Sequence, residues 1–396
     1  MRICLLFQGD FPPEPRLART MRFLCEQEHE VFLFCDHRVP QRPVRETREG
    51  VHIQRVRYTA KHTRGFRRLA RLPIFWNPIW IKQFLRFVAD HRFDLIQAVN
   101  LTMAPLAIIA GERFGLPVIY DMYEPYPYAL RSWKQHGLFN RLVRNARAAE
   151  ILDRWCMRRA DRVIVVAEEA AEYAQMMGAP AERIAVLHNT ADVDHLLAQP
   201  LYPEIVARYQ QHFAIVYTGM VGHERGLAAP VEAMARLSSQ LAGVRLVIVG
   251  GGPYEAELRQ MIAARNLQQL VEVTGWVEHT RFPSYIAAAA VCIVPQPANP
   301  YIDHTLPNKL FDYMTLGKPV VVSDAKPLAR IVRECRCGEV FASDSAESFA
   351  AAIQRLVTSG EPYGENGRQA VLRRYNWKAS TATLQHLYDD LMAGRK

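Results

Sequence analysis

Two cations in two glycine-marked loops are the residues of this chain best placed to do chemistry. Lys309, with Asn308 before it, falls in the first turn of a short helix predicted by the run from His304 to Asp324. Pro307 suits the start of that helix and Gly317 its left-handed stop, and Lys318 and Pro319 then lead into the apolar Val320, Val321 and Val322 of a buried parallel strand. Backbone N–H groups at such a start carry roughly half a positive charge, so a phosphate placed there would be held without a metal. Arg225 lies in the other loop. The run from Tyr217 to Leu227 reads as strand, glycine-rich turn and helix, in which Gly219 and Gly222 let backbone approach a ligand and Arg225 adds a fixed cation. Alone, Arg225 would read as a surface arginine at a helix start; Lys309 turns the reading toward an anion site.

These residues need rigid elements behind them. From residue 1 the pattern runs strand, turn, helix, strand, through Ile3 to Phe7, Arg16 to Gln27 and Val31 to Cys35. It continues through strands at 94–99, 117–121 and 162–167, with helical spacing between them. A polar, proline-bearing stretch follows near 192–211, and a second series opens at Phe213 with strands at 213–219, 244–250, 271–274, 291–295 and 319–323. The expectation is α/β: two doubly wound parallel sheets whose strand carboxyl ends face a shared cleft, where open parallel sheets bind ligands. The expected domains are residues 1–195 and 212–374, with 196–211 as linker and a closing helix within 375–396 returning to the first domain.

Bulk properties narrow the class. A chain of 396 residues that is 49% hydrophobic can bury more than one core. Its apolar runs have strand length, far short of the ~20 residues of a membrane-spanning helix. The 7 cysteines are odd in number and scattered, which argues against a disulfide framework and for a reducing cytoplasm. No Walker, Gly-x-Ser-x-Gly or His-Glu-x-x-His sequence occurs, and neither Cys335 with Cys337 nor Asp192 with Asp194 has metal-site spacing. The net charge of +9 is concentrated between Lys61 and Arg71, directly before the aromatic stretch 74–81. That order suits an anionic membrane surface, and equally a solvated loop before a helix that buries its aromatics. No nucleic-acid module accompanies the charge.

The wording from Pro307 to Met314, followed by Gly317 to Val321, resembles the donor-site signature of the family-4 retaining glycosyltransferases, and the likeness extends over nearly the whole chain. The resemblance implies the GT-B fold, two Rossmann-like domains with a sugar nucleotide between them. It places Asp312 on the donor ribose, and Asn308, Leu310, Gly250 and Gly251 along the donor. The strand end from Thr274 to Glu278 takes the place where the base is read, with Trp276 either stacking there or lying in the core, and Val277 beside it. Two acids seven residues apart are usual in the family. Here the first, which touches the sugar, is His304, with Asp303 next to it as the other candidate. By loop counting the family's Arg and Lys fall on Met220 and Arg225, so Arg225 and Lys309 would together offset the charge of a departing diphosphate.

In the first domain, Arg16 stands where a glycine-rich loop presses on the donor phosphates, and it is as consistent with a solvent-facing helix start. Tyr123 replaces a usual histidine; with Asn100 it falls on the acceptor side, and Glu124 is the acid expected in the cleft. The implied activity is metal-independent transfer of a hexosyl unit from a UDP- or GDP-type nucleotide sugar, with retention, to a glycan or lipid-linked acceptor in surface polysaccharide biosynthesis. No cofactor beyond the donor is implied. The expected location is cytoplasmic, with the Lys61–Ile81 stretch as a candidate peripheral contact to the inner face of a membrane. The departures at His304 and Tyr123 also allow a catalytically silent sugar-nucleotide or glycan-binding partner of the same fold, and a sugar-nucleotide epimerase on the same plan is a third reading.

Overall fold

A computed structural model describes residues 1–12, 14–57, 77–132, 145–190 and 192–393. The chain divides into two compact units, Met1–Leu187 with Thr381–Lys396, and His188–Ser380. The first is built on β1 (Arg2–Phe7), β2 (Glu30–Cys35), β3 (Arg45–Arg48), β4 (Val51–Arg55), β5 (Leu95–Val99), β6 (Val118–Asp121), β7 (Arg162–Val165) and β8 (Ile184–Val186). They lie in the order β3-β4-β2-β1-β5-β6-β7-β8, all neighbours parallel except β3 with β4. The second unit holds β9 (Phe213–Thr218), β10 (Val244–Val249), β11 (Val271–Val273), β12 (Val291–Val294), β13 (Val320–Ser323) and β14 (Gly338–Phe341). Their order, β11-β10-β9-β12-β13-β14, is that of a doubly wound dinucleotide-type sheet, all parallel.

The expected two doubly wound sheets therefore form, and the reason is visible in the strands. Both faces of a parallel sheet are covered by crossover helices, so central strands must be apolar throughout. Ile3 to Leu6 and Val320 to Val322 have no exposed surface. Four strands lacked that signal. β3 is the charged sequence Arg45–Arg48, β4 alternates buried and half-buried positions, β8 has three residues, and β14 opens with Gly338 and Glu339. Gly338 is tied to the sheet by close approach: a Cβ there would lie 1.7 Å from the Val320 carbonyl oxygen.

The stretch expected as a linker is folded. Pro203–Tyr209 is helical, the Tyr202 N–H donates to Ser284 Oγ, and the Tyr209 ring lies 5.7 Å from that of Tyr285. The closing helix, Trp377–Ala393, contributes its larger part to the first unit, where the Tyr388 hydroxyl donates to Gln97 Oε1. Tyr375 is the buried aromatic just before its start, stacked on Phe311 at 5.3 Å.

Most of the basic-aromatic stretch, residues 58–76, lies outside the described residues. Its end is described: Asn77 caps the helix Pro78–His91 through Ile79 N–H, and Trp80 is fully buried against Phe34. Trp80 thus follows the core alternative. Among the described residues no helix is long and apolar enough to cross a membrane.

Candidate functional site

In a sheet of this order, chain direction switches between β9 and β12, and the crevice at the carboxyl ends of those strands is the natural ligand position. The second unit puts its two cation-bearing loops there. Gly219 follows β9 directly, and Lys309 comes from the connection that follows β12.

Gly219 adopts φ +121°, and a Cβ there would lie 3.0 Å from Lys309 Nζ. The Gly219 N–H donates to the Val249 carbonyl and the Val221 N–H to the Gly251 carbonyl, so the loop after β9 is zipped to the glycine turn after β10. That contact needs glycine. A Cβ on Gly250, at φ +139°, would sit 2.0 Å from the Gly219 carbonyl oxygen, and one on Gly252 would sit 2.4 Å from that of Val221. Tyr313, on the helix Lys309–Thr315, locks the strand end from the other side by accepting from Thr218 N–H at 2.9 Å through its hydroxyl.

The helix carrying Lys309 is short, seven residues from Lys309 to Thr315. Pro307 precedes it, and the N–H groups of Leu310, Phe311 and Asp312 turn back to the carbonyls of Pro307 and Asn308. The anion site foreseen at this point therefore depends more on side chains than on free amides. Leu310 is completely buried, so its side chain belongs to the core. Gly317 provides the expected stop at φ +66°. Asn308 Oδ1 is buried with no hydrogen-bond partner among the described residues, an acceptor in want of a donor.

Lys309 Nζ lies 3.8 Å from the centroid of the Tyr217 ring. Burial holds its ammonium well below the ordinary lysine range, and Arg225 pushes in the same direction; Asp312 and Glu224 partly oppose them. Arg225 is paired with Glu224 at 3.3 Å, both partly exposed. The Glu224 carboxylate curls back over the loop, where a Cβ on Gly222 would meet it at 2.4 Å. The arrangement is a glycine cradle bearing two mutually repelling cations, which a bound anion would relieve.

Asp303 and His304 form a short helical turn with Ile302. Asp303 Oδ1 accepts from Lys326 N–H, at the start of the helix Lys326–Cys335, and His304 Nδ1 lies 2.7 Å from the Pro300 carbonyl oxygen. Trp276 is 68% exposed and stands beside Gly251, whose Cβ would meet its ring at 2.8 Å. Core burial, one of its two readings, is excluded. Val277 is half-buried next to it.

The first unit brings Arg16, Tyr123 and Asn100 together, but in a different state. Arg16 is 3% exposed; its Nη2 pairs with Asp121 at 3.2 Å, its Nη1 donates to the Leu187 carbonyl, and its guanidinium lies 4.7 Å from the Tyr123 ring centroid. Solvent exposure, one reading of Arg16, does not hold, and both terminal nitrogens are engaged inside the unit. Asp121 also accepts from Gln97, and burial pushes its acid up against the pull of Arg16 and Gln97. Asn100, at φ +64°, accepts from Tyr123 N–H through Oδ1. Glu124 is half-buried. Among the described residues no group of three or more His, Cys, Asp or Glu side chains could hold a metal.

Sequence reasoning missed Tyr217, Tyr313 and Asp121. The first two lie in apolar runs where an aromatic reads as core, and nothing in their spacing reveals which face they present.

Residues 13–190 match the family model described as glycosyl transferase 4-like domain, and residues 212–359 match glycosyl transferases group 1. Alpha-D-kanosaminyltransferase of Streptomyces kanamyceticus is 25% identical over 290 residues, 70% of this chain and 71% of that one. WcaL of Escherichia coli (strain K12), named as a colanic acid biosynthesis glycosyltransferase, is 25% identical over 239 residues, 59% of this chain and 58% of its own length. Among solved structures, the sucrose-phosphate synthase (tll1590) from Thermosynechococcus elongatus superposes with a TM-score of 0.80 over the whole of both chains at 18% identity. Anabaena Alr3699/HepE in complex with UDP-glucose gives 0.68 at 16% identity, over 99% of this chain and 100% of that one. With one glycosyltransferase domain model matching each half and this fold beneath both, the chain belongs to the glycosyltransferases of the GT-B architecture.

Proposed function

We propose that the protein transfers a hexosyl unit, with retention, from a nucleotide-diphosphate sugar to a glycan or lipid-linked acceptor in surface polysaccharide biosynthesis. The observation that carries this reading is Lys309 Nζ, set against Gly219 in the glycine cradle with Arg225 close enough to repel it. Fixed cations facing the place where charge develops lower the barrier to diphosphate departure, and they do so without a metal. Lys309 and Arg225 take the diphosphate, Gly219, Gly222, Gly250 and Gly251 admit it by backbone, and Asn308 Oδ1 accepts a hydrogen bond from the donor. Asp312 holds the ribose, and Trp276 with Val277 meets the base. His304 is favoured over Asp303 for the sugar contact, because the Asp303 carboxylate already caps the helix Lys326–Cys335. Tyr123, Asn100 and Glu124 serve the acceptor. Retention follows if the acceptor hydroxyl attacks from the face that the diphosphate leaves, with the phosphate taking the proton.

A UDP-type donor is supported by the likeness to HepE, whose complex holds UDP-glucose, and a polysaccharide acceptor by the likeness to WcaL. A thermal-shift panel of nucleoside diphosphates and their sugars tests the donor, since tight binding raises the melting temperature by mass action. UDP and UDP-sugars are expected to stabilise the protein most; a response to GDP compounds alone would reassign the base. The carboxylate missing from position 304 favours a second reading, a silent binder. Slow release of nucleoside diphosphate from the bound donor separates the two, because a silent binder releases none. Flotation with anionic vesicles tests the peripheral membrane contact.

A further inference from the structure

We infer that Tyr217 is a positioning residue for Lys309, and that its ring, by seating the lysine ammonium over Gly219, sets the affinity of the donor site. The inference rests on the donor reading of Lys309 given above. Three observations carry it. Among the described residues, no hydrogen-bond acceptor or carboxylate lies within bonding distance of Lys309 Nζ, and the Tyr217 ring face, 3.8 Å away, is the partner that its charge has. Tyr217 is itself completely buried, and its hydroxyl donates to the Met220 carbonyl at 2.7 Å, inside the loop that carries Gly219. The ammonium is then confined between that ring and Gly219, where any larger residue would press on it.

A cation over an aromatic face is held more strongly when both are removed from water, and it keeps its hydrogen-bond donors uncommitted. A carboxylate in the same place would hold Lys309 as firmly but would cancel the charge that an incoming diphosphate needs. The ring thus does what a salt bridge could not: it fixes the lysine and leaves it available. Its hydroxyl ties the same element to the loop, so the cation and the glycine that faces it keep their spacing.

A double-mutant cycle read by calorimetric titration with UDP-glucose tests this. Tyr217→Phe keeps the ring and is expected to bind within about threefold of the wild type, whereas Tyr217→Leu is expected to weaken binding about tenfold. In a Lys309→Met background, Tyr217→Leu should add less than about twofold, because the partner it served is gone. A core-packing role for Tyr217 would give the same loss in both backgrounds and would overturn the inference, as would wild-type affinity in Tyr217→Leu. If the leucine variant does not fold, Tyr217→Met, whose longer, flexible side chain reaches further into the ring's space without a π face, takes its place with the same expectations. Failure of the underlying donor reading looks different: Lys309→Met alone would then bind UDP-glucose as tightly as the wild type.

Discussion

At the carboxyl end of β9, Arg225 in a loop opened by glycines and Lys309 set against that loop repel one another, whereas at the carboxyl end of β6, Arg16 and Asp121 cancel their charges in the interior. Both places lie at the end of a parallel strand, where doubly wound sheets bind ligands. They differ in what the charges answer to. Arg16 has its carboxylate, a carbonyl and an aromatic face from within its own unit, and is 3% exposed. Among the described residues, Lys309 has an aromatic ring and no carboxylate within bonding distance, and beside it Asn308 keeps a buried acceptor unsatisfied. A basic residue at a strand end is therefore no sign of a ligand by itself; the sign is a charge that the fold has left uncompensated.

The contrast can be broken by exchange of roles. Arg16→Met should act on stability first, since it strands Asp121 as an unpaired buried acid; a loss of about 3–5 kcal/mol is expected in urea unfolding at neutral pH. If it instead left stability intact and lowered donor affinity, Arg16 would belong with the phosphate ligands after all. Lys309→Ala should behave oppositely, with transfer falling about 10²–10³-fold while the melting temperature holds or rises, because a costly buried ammonium has gone. Unchanged turnover would remove Lys309 from the site.

The first unit's internal charges should also be visible in its pH dependence. Asp153, fully buried and bonded by the Tyr120 and Tyr173 hydroxyls, is pushed up to about 6 by burial, against the pull of those hydroxyls. Its folded-state pKa lies above the unfolded value, so the folded chain holds the proton more tightly and stability falls as pH rises through that window, by on the order of 3 kcal/mol. Asp153→Asn should flatten the slope of unfolding free energy between about pH 4 and 6; an unaltered slope would assign it to other groups. The smallest effect is expected at Gly219. Gly219→Ala puts a Cβ at φ +121°, 3.0 Å from Lys309 Nζ, and should cost about 1–3 kcal/mol of stability with weaker nucleotide binding than the wild type. Equal binding would show that the lysine is free to move aside.

How far this was legible in the sequence follows the same division. The central strands announced themselves because burial on both faces requires continuous apolar runs, as at Val320 to Val322 and Leu246 to Val249. The hairpin of β3 and β4 did not, since a charged edge strand such as Arg45–Arg48 has no pattern to read. The loop glycines at 219, 250 and 317 were readable because their positive-φ backbone favours glycine. What could not be read was partnership. Arg16 and Asp121 are 105 positions apart and Tyr217 and Lys309 are 92 apart, so whether a charge is cancelled or left open is decided by the fold and not by local spacing.

The central claim is that the loop after β9 and Lys309 grip a diphosphate, and a crystal structure of the protein with UDP tests it most directly. The account predicts phosphate oxygens within hydrogen-bond distance of Lys309 Nζ, of Arg225 and of backbone N–H groups between Gly219 and Gly222. A diphosphate bound elsewhere, with Lys309 still resting on the Tyr217 ring and no anion beside it, would contradict it.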